Sequence, residues 1–152
     1  MRVLRVYADT SVFGGCHDDE FEVASAAFFA RVAGGDLRLV VSALTAAELQ
    51  VAPNRVRGVL DSIPGAAVEF HDITAEMEAL RDAYLEAGVL GPSSDADALH
   101  VAAATVLEVD LIVSWNFKNI VQYARIRGFN AVNLTHGYKI MEIYSPREVM
   151  DE

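Results

Sequence analysis

The chain has 152 residues, of which 53% are hydrophobic and 22% charged, and its formal net charge is −10 at pH 7. This composition excludes an intrinsically disordered chain, and the length suits a single domain, residues 1–152, with its own core. No apolar run reaches the roughly 18 residues that a membrane span needs, and the acidic charge excludes broad, nonspecific wrapping of nucleic acid.

Two features at the start of the chain predict where the protein resides. The first five residues, Met-Arg-Val-Leu-Arg, lead directly into a strand pattern and lack the layout of a signal peptide. Cys16 is the only cysteine, so the chain forms no internal disulfide, which fits a reducing compartment. We therefore expect a cytoplasmic protein that has no association with membranes.

The hydrophobic pattern predicts strands that alternate with helices. In chain order, we predict a strand at 3–8, a helix at 18–33, a strand at 37–44, helices at 45–51 and 54–62, a strand at 67–73, helices at 74–87 and 95–108, a strand at 110–115, a helix at 117–127 and a short strand at 131–134. The strands are continuously apolar rather than alternating, which indicates burial on both faces. We therefore predict an α/β fold of three layers, α/β/α, with a mainly parallel central sheet.

The basic residues are distributed unevenly along the chain. Residues 111–147 contain a single acid, Glu142, and five cations, which are Lys118, Arg125, Arg127, Lys139 and Arg147. These cations form either a basic patch that contacts phosphate groups or an ordinary solvated surface.

Four polar side chains fall where predicted strands end or where the following helices begin. Asp9 follows the first strand, Glu48 lies just past the second strand, and Asp97 is in the first turn of the alanine-rich helix. Asn116 ends the strand "LIVSW". The carboxyl ends of parallel strands open onto one edge of a sheet, and ligands bind there where the strand order reverses. The four side chains are therefore candidates for one site.

Helix capping is the alternative explanation for these residues. The spacings Thr45-Ala-Ala-Glu48 and Ser94-Asp-Ala-Asp97 both match a capping box, and an acid in a first helical turn is favourable in any case. Asn116 is equally suited to cap a helix that begins at Phe117.

Convergence of three carboxylates would require a cation, because no Lys or Arg accompanies them in sequence. Oxygen ligands favour Mg²⁺ or Mn²⁺, and the amide oxygen of Asn116 would add a neutral ligand. The four histidines, His17, His71, His100 and His136, lack the spacing of a zinc site, and we predict surface or packing roles for them. His100 lies three residues beyond Asp97, and Glu108 continues its polar stripe, which predicts partial exposure.

Four segments in this order resemble the PIN domain, and more narrowly the VapC-like ribonucleases of type II toxin-antitoxin systems. The segments are "VYADTSVFGG" (6–15), "LTAAELQ" (44–50), "DADALHVAAAT" (95–105) and "LIVSWNFKNIV" (111–121). The resemblance extends from residue 3 to about residue 135. The phosphatases of the haloacid dehalogenase type are a weaker match, because they carry a second acid where this chain has Ser11.

The resemblance implies catalytic roles for Asp9, Glu48 and Asp97, whereas Asp95 is a neighbour that the family pattern does not require. Asn116 stands at the fourth position, where many members have Asp, and this departure lowers the negative charge of the site. Asn119 stands where a His is frequent, and the sequence assigns it no role.

The implied function is metal-dependent hydrolysis of RNA by a toxin. In this hypothesis Asp9, Glu48, Asp97 and Asn116 hold Mg²⁺ or Mn²⁺, while Ser11 orients Asp9 or a bound water. Lys118, Arg125 and Arg127 would position the RNA. The resemblance also implies a small antitoxin partner and a homodimer. The alternative is a PIN-like module that binds RNA or protein without cleaving, which the Asn116 departure and the charge of −10 favour.

Overall fold

The computed structural model describes residues 2–150 and contains a five-stranded sheet whose paired strands all run parallel. The helices and strands follow in the order β1 Leu4–Ala8, α1 Thr10–Gly15, α2 Glu22–Ala33, β2 Leu37–Ser42, α3 Ala43–Gln50, α4 Asn54–Asp61, β3 Val68–His71, α5 Ala75–Glu86, α6 Asp95–Val106, β4 Leu111–Val113, α7 Tyr123–Thr135, β5 Ile143–Tyr144 and α8 Pro146–Met150. Short 3₁₀ turns precede β3 and α6.

The strand order places a topological switch point beside β1. The order across the sheet is β3-β2-β1-β4-β5, so the chain leaves β1 towards one edge and later returns to β1's other side with β4. In the registers, Ala8 lies opposite Val113, and Tyr7 lies opposite both Val40 and Ile112. The carboxyl ends of β1 and β4 therefore flank the crevice where ligands bind in open α/β sheets.

Two apolar clusters cover the two faces of the sheet. Alternate residues of β1 point to opposite faces: Val6 and Ala8 belong to one cluster, and Tyr7 belongs to the other. Residues of α1, α2, α4 and α8 pack in the first cluster, and residues of α5, α6 and α7 pack in the second. This arrangement confirms the predicted three-layer α/β/α architecture.

The apolar periodicity correctly predicted the larger helices on both faces. Met77, Leu80 and Tyr84 of α5 are buried at helical spacing, and so are Phe28 and Val32 of α2. No helix within residues 2–150 is long and apolar enough to cross the hydrocarbon core of a membrane.

The helix α1 was not predicted from the sequence. It has six residues and ends with two glycines, which are poor helix formers, so its local signal is weak. Burial of Val12 and Phe13 holds this helix against the sheet. The segment "DTSVFGG" is therefore a strand end followed by a short helix.

The predictions for the last third of the chain were partly wrong. The predicted helix 117–127 and the predicted strand 131–134 are replaced by α7, Tyr123–Thr135, whose residues Phe129, Val132 and Asn133 are buried at helical spacing. Residues 117–122 form turns instead, because the carbonyl of Asn116 accepts hydrogen bonds from the backbone N–H groups of residues 120 and 121. The fifth strand is Ile143–Tyr144, which the sequence pattern did not indicate.

Candidate active site

Asp9 lies at the switch point and is held by two serine hydroxyls. Ser11 Oγ donates to Asp9 Oδ1 at 2.5 Å, and Ser114 Oγ, directly after β4, donates to Asp9 Oδ2 at 2.8 Å. The Trp115 N–H donates to Ser11 Oγ at 2.9 Å and the Asn116 N–H donates to Ser114 Oγ at 2.9 Å, which leaves both hydroxyl protons for the carboxylate. Of the two roles predicted for Ser11, orienting Asp9 or orienting a bound water, these contacts fit the first.

The carboxylate of Asp9 is unusual because it is almost completely buried. The residue is 4% exposed, and although it precedes α1 its side chain makes no capping hydrogen bond. Burial raises the pKa of Asp9, and the nearby charge of Asp97 raises it further, whereas His100 and the serine hydroxyls act in the opposite direction. The surroundings therefore disfavour the charged form of Asp9, and a carboxyl group with a perturbed pKa is more typical of a functional site than of a structural cap.

Glu48 does not cap α3. The cap is Ser42, whose hydroxyl accepts from the Thr45 N–H, so Thr45 is inside the helix and the predicted capping box at Thr45 is wrong. Instead, Thr10 Oγ1 donates to Glu48 Oε1 at 2.5 Å, and His100 Nε2 lies 2.7 Å from the same oxygen. Burial raises the pKa of Glu48, but the hydrogen bond and charge of His100 outweigh it and the net shift is downward.

His100 is part of the site, and the prediction that it is partly exposed was wrong. It is 2% exposed, and its Nδ1 lies 2.7 Å from the hydroxyl of Tyr7 on β1. Burial by itself lowers the pKa of this imidazole, but the oxygen of Tyr7, the hydrogen bond to Glu48 and the charge of Asp9 raise it to about 10. The polar stripe does not continue to Glu108, because α6 ends at Val106 and Glu108 adopts a φ of 54°.

Asp97 is held by an amide from the turn after β4. Asn119 Nδ2 donates to Asp97 Oδ2 at 2.9 Å, and Ser94 makes no capping hydrogen bond at the start of α6. The second predicted capping box is therefore also absent. Asn116 Oδ1 accepts from the Asn119 N–H at 2.9 Å, so its amide oxygen stabilises the turn that carries Asn119. Because no helix begins at Phe117, Asn116 caps a turn and not the helix that the sequence suggested.

Hydrogen bonds connect the three acids to the segments that follow β1 and β4, but the acids do not form a preassembled set of metal ligands. Within residues 2–150, no three His, Cys, Asp or Glu side chains are arranged to hold a metal ion together. The donors fit Mg²⁺ or Mn²⁺ in kind, since all are carboxylate oxygens, and Mg²⁺ usually binds one or two protein carboxylates and retains several waters. The site fits an ion that is only partly ligated by protein.

The three cations predicted to contact RNA have different surroundings. Lys118 is exposed in the turn between Asn116 and Asn119. Arg125 is half-buried and donates to the carbonyl of Val89 at 2.6 Å, which gives it a structural contact. The guanidinium of Arg127 lies 5.6 Å from the centre of the Tyr123 ring on the exposed side of α7.

Five residues of the site had no assigned role in the site predicted from the sequence: Tyr7, Thr10, His100, Ser114 and Asn119. Thr10 and Asn119 lie next to predicted site residues in the sequence, and Tyr7 and Ser114 each lie two residues from one. Proximity in the sequence does not, however, indicate which atoms these side chains contact. The contacts of His100 and Asn119 join residues that are 52 and 22 positions apart, and no local pattern signals them.

No protein-family model matches the chain, and no curated protein matches it in sequence. Several solved structures resemble it in fold, among them three toxin or toxin-antitoxin structures. VapBC2 from Rickettsia felis, bound to a DNA fragment from its promoter, has a TM-score of 0.59 at 15% identity, covering 92% of this chain and 98% of that chain. FitAcB from Neisseria gonorrhoeae has a TM-score of 0.57 at 14% identity, and the match covers 93% of this chain and 97% of that chain.

The third is VapC20 from Mycobacterium tuberculosis, a sarcin-ricin loop cleaving toxin, with a TM-score of 0.54 at 13% identity over 74% of this chain and 91% of that chain. Sequence identities this low establish similarity of fold. The chain therefore shares the fold of these structures, in agreement with the PIN-like fold that its four motifs predicted.

Proposed function

We propose that the protein is a divalent-metal-dependent endoribonuclease that acts as the toxin of a toxin-antitoxin pair. The observation that carries this proposal is the position of Asp9, Glu48 and Asp97. They come from three separate segments, none of them caps a helix, and they surround the switch point of a parallel sheet. The likeness in fold to a sarcin-ricin loop cleaving toxin supports the same conclusion.

The three carboxylates would hold Mg²⁺ or Mn²⁺ with water completing the coordination. A bound ion of this kind lowers the pKa of a water molecule and neutralises charge on phosphate oxygens. The protein's part is to hold each carboxylate in place: Ser11 and Ser114 hold Asp9, and Asn119 holds Asp97. Both ring nitrogens of His100 are engaged inside the protein, so this histidine is not placed to act as a base on the substrate.

The substrate proposed is RNA, and its phosphates would be bound beside the acidic crevice. Lys118 is the cation nearest in sequence to the turn that holds Asp97, and it is exposed. Arg127 is also exposed, whereas the contact of Arg125 with a backbone carbonyl makes it a weaker candidate for RNA binding than the sequence suggested. Two exposed cations suit local positioning of an RNA strand through its phosphates.

We further propose a small antitoxin protein that covers the crevice, a homodimeric state and a location in the cytoplasm. The complex of VapBC2 and the FitAcB structure support a partner protein for this fold. The homodimer and the cytoplasmic location rest on the resemblance and on the sequence, respectively.

The test is RNA cleavage in Mn²⁺ by the native protein, by Asp9→Asn and by Asp95→Asn. Asp95 is the matched control, because it is an exposed acid near the site whose side chain accepts only the neighbouring Ala96 N–H among the described contacts. Loss of an ion ligand removes several kcal/mol of transition-state stabilisation, so Asp9→Asn should reduce the rate by about a hundredfold or more. Asp95→Asn should cleave like the native protein.

Equal cleavage by the native protein and Asp9→Asn would refute the proposed catalytic role of Asp9. Absence of Mn²⁺-dependent cleavage by the native protein, with RNA binding retained, would favour the alternative of a PIN-like binding module. The position of Asn116, where many family members have an acid, is the observation that favours this second candidate.

A further inference from the structure

A chain of buried hydrogen bonds connects the centre of the sheet to Glu48. The Tyr7 hydroxyl lies 2.8 Å from Ser42 Oγ and 2.7 Å from His100 Nδ1, and His100 Nε2 lies 2.7 Å from Glu48 Oε1. Thr10 adds a second hydrogen bond to that oxygen. Tyr7 is 0% exposed and His100 is 2% exposed, so the connection lies below the surface until it reaches the partly exposed Glu48.

The imidazole in this chain is fixed in position. Tyr7 lies in β1, between β2 and β4, and its neighbours on these two strands are Val40 and Ile112. Packing in this buried cluster leaves the Tyr7 side chain little room to move. The rings of Tyr7 and His100 meet edge to face, with centroids 5.7 Å apart. A ring that is bonded at both nitrogens and packed against a buried aromatic side chain has one available orientation.

Glu48 needs buried donors to hold its side chain in one orientation. Its side chain is 34% exposed and has three rotatable bonds, so without a buried donor it is free to turn towards water. Among the described contacts, Oε1 receives both hydrogen bonds and Oε2 receives none. The network thus fixes one oxygen of the carboxylate and leaves the other for a ligand.

We propose that His100 is a positioning residue that holds Glu48 in the orientation in which it binds the divalent ion, and that Tyr7 holds His100. This inference rests on the proposed function, because it assigns His100 a role in ion binding at the same site. Carboxylates that ligate metals are themselves commonly hydrogen-bonded, and loss of such a partner typically weakens metal binding by about 10- to 100-fold. The contrasting explanation is that His100 merely satisfies buried polar groups and stabilises the fold.

Two substitutions at His100 separate the two explanations. In His100→Gln, the side-chain amide reaches roughly as far as Nε2 and still donates to Glu48, whereas the amide of His100→Asn is too short to do so. Both variants remove the ring from the same buried place, so both lose stability to a similar degree. The measurement is the Kd for Mn²⁺ in the absence of RNA, followed through the electron paramagnetic resonance signal of free Mn²⁺, with unfolding by urea measured alongside.

We expect His100→Asn to weaken Mn²⁺ binding by about 10- to 100-fold and His100→Gln to recover most of this loss, although the two unfold at similar urea concentrations. Equal, native-like Kd values for both variants would overturn the positioning role while the proposed function stands. Failure of the native protein to bind Mn²⁺, or native-like binding by Asp9→Asn, would instead overturn the proposed function and the inference with it.

A second measurement uses the native protein, so it does not depend on whether the variants fold. Titration with Mg²⁺ should shift the ¹⁵Nε2 resonance of His100, because the Glu48 carboxylate that accepts its hydrogen bond becomes an ion ligand. The resonances of His136, which is exposed at the end of α7, serve as the internal control and should not move. A His100 resonance that stays constant while the backbone signals around Asp9 shift would contradict the inference.

Discussion

Adjacent glycines in α1 provide a pair of substitutions with opposite expected effects. A Cβ added at Gly15 would lie 2.4 Å from Ser25 Oγ and 2.7 Å from Trp115 Nε1, whereas a Cβ added at Gly14 would meet no heavy atom within 4 Å. Trp115 Nε1 donates to Ser25 Oγ at 2.8 Å, and both residues are buried. Gly15→Ala should therefore force apart a buried hydrogen bond beside the active site.

The magnitude follows from three contributions. Overpacking of a buried position destabilises by about 1 to 3 kcal/mol, and the strained or broken hydrogen bond adds roughly 0.5 to 1.5 kcal/mol. The higher helix propensity of Ala returns at most about 1 kcal/mol. The net expectation is a loss of about 2 to 3 kcal/mol for Gly15→Ala. Gly14→Ala has only the favourable contribution and should gain about 0.4 to 1 kcal/mol.

The assay is urea unfolding followed by far-UV circular dichroism, which does not depend on the single tryptophan that the substitution disturbs. With an m value of about 2 kcal/mol/M, Gly15→Ala should lower the midpoint by about 1 M, and Gly14→Ala should raise it by a few tenths of a molar. Trp115 fluorescence should change in Gly15→Ala alone. A Gly15→Ala midpoint equal to or above the native one would refute the packing argument, and so would a loss of stability in Gly14→Ala.

Three further predictions concern buried or paired polar groups. Asp9→Asn, which should slow cleavage by about a hundredfold or more, should nevertheless raise the melting temperature at pH 7 by a few degrees, about 1 kcal/mol, because it removes a desolvated charge. Since burial raises the pKa of Asp9, this advantage should shrink as the pH falls and the native carboxyl takes up its proton, as melting curves between pH 4 and 7 would show. Tyr84→Phe should lose about 1 to 3 kcal/mol in urea unfolding, because the buried Asn133 Oδ1 accepts from the Tyr84 hydroxyl at 2.5 Å and would have no donor. Glu69→Gln should lose up to about 1 kcal/mol at pH 7, because Arg5 donates to both Glu69 oxygens. The hydrogen bond from Arg5 lowers the pKa of Glu69 in the folded protein. The stability that the ion pair contributes should therefore be lost as the pH falls below the ordinary glutamate pKa of about 4.3 and through the lowered pKa of the folded state. A difference in stability between the native protein and Glu69→Gln that persists below this range would contradict the ion pair.

The sequence alone determined the class of fold and the edge of the sheet that carries the site. Continuous apolar strands alternating with amphipathic helices require a parallel sheet covered on both faces, and this follows from local periodicity. Asp9 was placed correctly because it directly follows a buried strand. In the last third of the chain local periodicity was not sufficient: β5 has two residues, and the short run at 131–134 fits a helix as well as a strand.

Only the tertiary structure excluded the predicted capping boxes at Glu48 and Asp97. The spacing of a capping box is the same whether or not a helix begins there, and the N-cap of α3 is Ser42, three residues earlier than the box at Thr45 requires. Which donor a carboxylate accepts from depends on segments that are distant in sequence, such as His100 for Glu48. The spacing of apolar residues is a local property of the chain. The hydrogen-bond partners within a site depend instead on how the helices and the sheet pack against one another.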